Sequence, residues 1–152
     1  MTVRAKDLYD RMCKYLEEKG WKFKKEEDDL VIHFMVSGDD IPMIMVLQID
    51  SDRELIRLTS PIPFNFEEDK RIDGAIATCY VSNKLADGSF DYDIRDGSVA
   101  FRMTASFANS NIGTDLIEYM IVCSSITVDE YNDKFLALNK GMIGITDFIS
   151  KG

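Results

Sequence analysis

The side chains that come nearest to a metal-binding chemistry are Asp91, Asp93 and Asp96, in the stretch FDYDIRDG. Aspartates so spaced hold calcium when a glycine stands at the sixth loop position and a glutamate at the twelfth. Counted from Asp91, those places fall on Asp96 and Arg102, so the pattern fails at both. The aspartates alternate with Phe90, Tyr92 and Ile94, which makes them the wet side of a strand. Acid–base chemistry would need paired carboxylates in a cleft with unequal surroundings. Asp50, Asp52 and Glu54 form one cluster, and Glu26 to Asp29 another, but both fall at expected hairpin ends, where polar residues belong in any case.

His33 is the only histidine. Its isolation removes most histidine-built metal sites and any Ser-His or Cys-His pair supported by a second histidine. Its expected place is the outer face of a strand, beside Lys24. Cys13, Cys79 and Cys123 lie far apart and form no CxxC pair. They read as small buried hydrophobes in a reducing cytoplasm. The chain carries no phosphate-cradling glycine loop, dinucleotide fingerprint or nucleophile elbow. The residues assign no catalytic group, metal or cofactor.

Four apolar residues point toward binding instead. Val31, Met35, Ile44 and Val46 fall on the face of their strands opposite the one that builds the core. An antiparallel sheet covered on one side should be polar there. An apolar group at that place is either a self-association or partner surface, or is covered by the chain's own C-terminal helix or by lysine stems.

The elements that position these residues follow from periodicity. Leu8, Met12, Tyr15 and Leu16 recur at helical spacing from Val3 to Lys19, and Gly20 ends that helix. Trp21 and Phe23 alternate with lysines as a half-buried strand. A turn at Asp28-Asp29 then sets Phe23 opposite Phe34 and Trp21 opposite Val36, with Lys24 opposite His33 and Glu26 opposite Val31. After a turn at Gly38 to Pro42 come strands at Met43 to Asp50 and Leu55 to Ser60, pairing Ile49 with Ile56, Leu47 with Leu58 and Gln48 with Arg57. Pro61 and Pro63 are expected to keep that last strand from running deep into a sheet. Asn65 with Glu68 resembles a capping box for a helix reaching about Leu85, its buried stripe being Ile72, Ala75, Ile76, Cys79 and Tyr80.

The run from Tyr80 to Arg102 continues with a glycine stop at Asp87-Gly88 and a hairpin about Asp96-Gly97. With those two as the loop, Ile94 faces Val99, Tyr92 faces Phe101, Phe90 faces Met103, and Asp91 faces Arg102 as an opposite-charge pair. Beyond it, Ile117, Ile121, Ser124, Val128, Tyr131, Phe135, Leu138, Met142, Ile145 and Ile149 keep a four-three spacing that predicts one long helix. Thr127 with Glu130 could form a capping box, which allows a break near Thr127, and Gly141 and Gly144 weaken the end. The order α-β-β-β-β-α-β-β-α indicates an α+β domain with helices packed on one face of a mainly antiparallel sheet.

At 152 residues the expectation is a single domain over 1–152. The net charge of −9, with lysines and arginines scattered, argues against nucleic acid as a partner. No apolar run approaches the roughly 20 residues of a membrane span, and no secretory signal opens the chain, so the expected location is cytoplasmic.

The layout, with WKF after a first helix and N-K-L-x-x-G-S-F leading to D-G-S-V-A-F-R, resembles the YbjN-like family, bacterial proteins often labelled sensory transduction regulators. The matching residues are Trp21 and Phe23, Asn83 and Leu85, Gly88 and Phe90, then Asp96, Gly97, Phe101 and Arg102. The family is similar in fold to the type III secretion chaperones, which are small, acidic, commonly dimeric proteins that hold an effector segment in extended form. The resemblance implies a homodimer and a non-enzymatic, chaperone-like or regulatory adaptor for another polypeptide. It brings no catalytic residues. The other function considered is a small-ligand sensor, or an enzyme, using a pocket between the central helix and the sheet.

Overall fold

In the computed structural model, which describes residues 2–151, the chain forms a six-stranded antiparallel sheet of order β1-β2-β3-β4-β6-β5. The strands are β1 (Phe23–Glu26), β2 (Val31–Ser37), β3 (Pro42–Asp50), β4 (Leu55–Asn65), β5 (Ser89–Asp93) and β6 (Ser98–Ser106). The helices are α1 (Val3–Glu18), α2 (Arg71–Lys84), α3 (Thr114–Asn139) and α4 (Ile145–Lys151). Alternation decides the sheet's two faces. Ile32, Phe34, Met45, Leu47, Leu58, Phe101 and Met103 point one way and are buried beneath the helices. α3 lies across β3, β4 and β6, with α1 beside it and α2 against β5.

The β1–β2 and β3–β4 hairpins take the expected registers. Phe23 pairs with Phe34 and Glu26 with Val31, while Leu47 pairs with Leu58 and Ile49 with Ile56. The first loop differs in form. A 3₁₀ turn over Glu27–Asp29 ends on Leu30 at φ 55°, and β1 starts too late to include Trp21, whose ring instead packs edge-on against Phe34 at 5.5 Å. The β2–β3 turn is docked onto α3. Asp129 Oδ1 accepts the Asp39 N–H at 2.9 Å, and a side chain at Gly38 would collide with the same carboxylate.

Three expectations are corrected around β4 and α2. β4 continues through Pro61 and Pro63 to Asn65. Its pairing with β3 stops at Thr59, so the proline stretch is an edge on that side, where a missing N–H is tolerated. The Asn65 cap does not form: a 3₁₀ turn over Glu68–Lys70 precedes α2, and the Asn139 side chain takes the Glu67 N–H at 2.8 Å. α2 ends at Lys84, ahead of Gly88, whose φ of +77° serves a close approach to the Phe101 ring.

The β5–β6 hairpin is shifted by two. Phe90 pairs with Phe101 and Tyr92 with Val99, around a loop of Ile94 to Gly97. Asp93 organises that loop: its backbone oxygen accepts the Gly97 N–H at 2.8 Å and its carboxylate the Arg95 N–H at 2.9 Å. A shift of two leaves the paired side chains on their intended faces, but it moves Ile94, expected inside opposite Val99, into the loop, where it is 54% exposed. Arg102 still reaches Asp91 diagonally, at 2.7 Å.

α3 runs unbroken past Thr127, whose hydroxyl donates back to the Cys123 carbonyl at 2.7 Å instead of capping a new helix. The break comes at Gly141, φ +73°, where the Met142 N–H bonds the Ala137 carbonyl at 2.9 Å in a left-handed helix stop. The buried stripe holds from Ile117 to Leu138 and loses phase after the turn, so Phe148 is buried while Met142 and Ile149 are exposed.

Candidate protein-binding surface

Both strands that carry the outer apolar group alternate, so every second residue faces away from the helices. Register places Met35 opposite Ile44, His33 opposite Val46, and Val31 opposite Gln48. Met35 is 56% exposed and Ile44 45%. Val46 is half-buried and Val31 buried at 7%. The C-terminal helices lie on the opposite face and do not cover the group. Met35 and Ile44 wall an open depression of about 620 Å³ together with Lys22, Phe23, Lys24 and His33. Its charged rim is basic, within an acidic chain. His33 sits there on an open surface, its Nε2 at 3.1 Å from Glu26 Oε1. β1 pairs with β2 only as far as Phe34, so the Met35–Ser37 end of β2 has no strand on that side among the described residues. An unpaired edge beside an apolar face is able to accept an extended segment.

Four of the turn carboxylates, Asp93, Glu27, Glu54 and Asp50, are paired locally. Arg95 hydrogen-bonds Asp93 through side chain and backbone and lowers its pKa to about 2. Glu27 meets Lys6 at 2.6 Å, Glu54 meets Arg4 at 3.1 Å, and Asp50 meets Arg53 at 3.7 Å. Among the described residues no group of three or more His, Cys, Asp or Glu is gathered in a way that could hold a metal ion. Burial raises the Cys13 thiol pKa, while Cys79, expected inside, is exposed.

Cys79 belongs to a second apolar surface that periodicity assigned to the core. α2 turns Gly74, Ala77, Thr78 and Val81 inward. Ile72 is left 70% and Ile76 41% exposed. The small residues face the sheet because the helix backbone lies close to it: a Cβ on Gly74 would press on Phe66 and the Tyr92 hydroxyl. α3 carries a similar stripe, with Tyr119 at 47%, Val122 at 49% and Ile126 at 63% exposure. A helical apolar stripe signals that some surface will cover it, without saying whether that surface is its own sheet.

Comparison with known proteins bears on these surfaces. The YbjN family model, described as "Putative bacterial sensory transduction regulator", matches residues 8–137. No curated protein matches the chain. Among solved structures, YbjN from E. coli superposes with a TM-score of 0.62 at 10% identity, covering 83% of this chain and 92% of that one. The ExsC-ExsE complex contains a chain that superposes with a TM-score of 0.58 at 12% identity, covering 88% of this chain and 96% of its own. Both likenesses are likenesses of fold.

Proposed function

This chain belongs to the YbjN family, and from that premise we propose that it is a non-enzymatic binding protein, a chaperone-like or regulatory adaptor for another polypeptide. The observation that carries the reading is the Met35–Ile44 pair, apolar and open to water beside the unpaired end of β2, on the sheet face turned away from the helices. The partner segment is extended, with apolar side chains for Met35, Ile44 and Val46 and acidic ones for Lys22 and Lys24. A neighbour of this fold solved as a two-protein complex supports a protein partner. Val31 lies at the buried margin of the surface.

The working unit is one domain, acting as a homodimer in the cytoplasm. Exposed Ile72 and Ile76 on α2, and Val122 and Ile126 on α3, support self-association through the helical side, which leaves the outer sheet face for the partner. Free Cys13, Cys79 and Cys123 suit a reducing compartment. No helix among the described residues is long and apolar enough to cross a membrane.

The test is affinity capture with the wild-type chain and with Met35→Asp, each checked for unchanged circular dichroism. A partner bound by the wild type, lost from Met35→Asp and retained by Ile126→Asp supports the reading. A partner retained by Met35→Asp removes the outer face from it.

A further inference from the structure

α2, α3 and α4 border an apolar groove of about 320 Å³ that the adaptor reading leaves unused. It lies between helices, not between helix and sheet where a ligand pocket was expected. α2 supplies Tyr80 to its wall, α3 supplies Tyr131 and Ala137, and α4 supplies Phe148. Ile143, in the turn that follows the Gly141 helix stop, completes it.

The floor of the groove is built into the core. Tyr131 and Phe148 are buried, and both pack on Phe135, with ring centroids 6.2 Å and 6.0 Å from it. Phe90 meets Phe135 edge-on at 5.1 Å, so these rings are fixed in place before anything binds. Two of the ammonium groups at the border are already engaged. Lys134 pairs with Glu130 at 3.8 Å and lies 4.9 Å from the Tyr131 ring centre. Lys84 lies 5.2 Å from that of Tyr80 and has a further partner. Neither charge depends on a bound molecule to balance it. The third, Lys151, ends α4 and is exposed, so its ammonium keeps its water.

We propose that this groove binds a small neutral aromatic molecule, about two rings in size. Its volume is about twice the roughly 150 Å³ of an engineered apolar cavity that holds benzene. Tyr80, Tyr131 and Phe148 offer ring faces and edges, and aromatic pairs gain beyond the area they bury. A formal charge of either sign would lose its water on entering among these rings, a cost that a neutral frame avoids. The site lies on the helical side, apart from Met35 and Ile44, so its test does not depend on the adaptor reading.

The experiment is isothermal titration calorimetry of the full chain with 2-naphthol, naphthalene-2-carboxylate, naphthalen-2-ylmethylammonium and octanol. Naphthol is expected to bind saturably with one site per chain. Both charged congeners and the aliphatic alcohol should bind about tenfold more weakly or not at all. Ala137→Trp, which fills the groove, should abolish binding, with the melting temperature confirming the fold. If that variant fails to fold, backbone amide shifts of Ile143 and Phe148 on titrating the wild type locate the site instead. The proposal is overturned if naphthol does not bind, if a charged congener or octanol binds as well, if folded Ala137→Trp binds unchanged, or if the shifts map elsewhere. Binding that appears only in Ile76→Glu would show that a second copy fills the groove, and would overturn it too.

Discussion

Met35 and Ile44 stand directly opposite each other on neighbouring antiparallel strands, with 56% and 45% of their surfaces in water. A cross-strand apolar pair of this kind contributes about 0.2–1 kcal/mol to a sheet. That local gain does not require two further apolar residues, Val31 and Val46, around it, and the pair's position beside an unpaired strand end suits it to a partner.

Exposure on that face makes a direct prediction about stability. Met35→Asp should alter unfolding free energy by no more than about 1 kcal/mol, the size of the cross-strand pair it removes. Leu58→Ala, at a fully buried position on the inner face, should cost about 2–5 kcal/mol. Urea unfolding of both variants checks this. A Met35→Asp cost as large as that of Leu58→Ala would show the face to be covered.

A second prediction tests the four-residue hairpin loop. Gly97 has φ +76°, and a side chain there would meet the Phe66 backbone, whose N–H bonds the Gly97 carbonyl at 2.8 Å. Gly20 has the same φ with open space around it. Gly20→Ala should therefore cost only the conformational strain, about 1–2 kcal/mol, and Gly97→Ala distinctly more. Equal losses in thermal unfolding would argue against the docking of this loop on β4.

The Asp93 carboxyl is held at about 2, against an ordinary 3.8, chiefly by the Arg95 side chain. A depressed carboxylate pKa favours the folded state above the unfolded value, and that contribution is lost as pH falls from about 4 toward 2. Asp93→Asn should flatten the acid limb of the stability profile in that window and leave the profile's shape near neutrality unchanged. Carbon NMR titration of the carboxyl reads the pKa itself. A midpoint near 4 would contradict the Arg95 contact.

For the helical side, light scattering after size exclusion should give a dimer mass for the wild type. Ile76→Glu or Ile126→Asp should give the monomer mass, because an unpaired carboxylate is costly to bury at a contact. Circular dichroism should be unchanged, both residues being exposed in the single chain. A dimer that survives both changes, yet dissociates with Met35→Asp, would move self-association to the outer sheet face.

Much of the architecture was legible because it is encoded locally. Alternation and turn position were enough to set Phe23 against Phe34 and Leu47 against Leu58. The helical stripe from Ile117 to Leu138 was legible for the same reason. The outward direction of Met35 and Ile44 followed from strand parity, since each neighbours an inward residue.

What the sequence determined by itself was therefore periodicity: which residues share a face, and the antiparallel α+β order that follows. Tertiary structure decided what each face meets. Asp96-Gly97 permits a two-residue loop, but docking of Gly97 on Phe66 and the carbonyl of Asp93 selects a loop twice as long. The apolar stripe of α2 is the same stripe whether it meets a sheet or water. Close approach of the helix to the sheet selects Gly74 and Ala77 for the interface and turns Ile72 and Ile76 outward. The apolar groove of about 320 Å³ between α2, α3 and α4 had no sequence signal, because Val81, Tyr131 and Phe148 belong to three different helices and meet only when those helices pack. Local chemistry sets spacing along the chain, while the choice between burial and exposure depends on volumes and distances that exist only in the folded molecule.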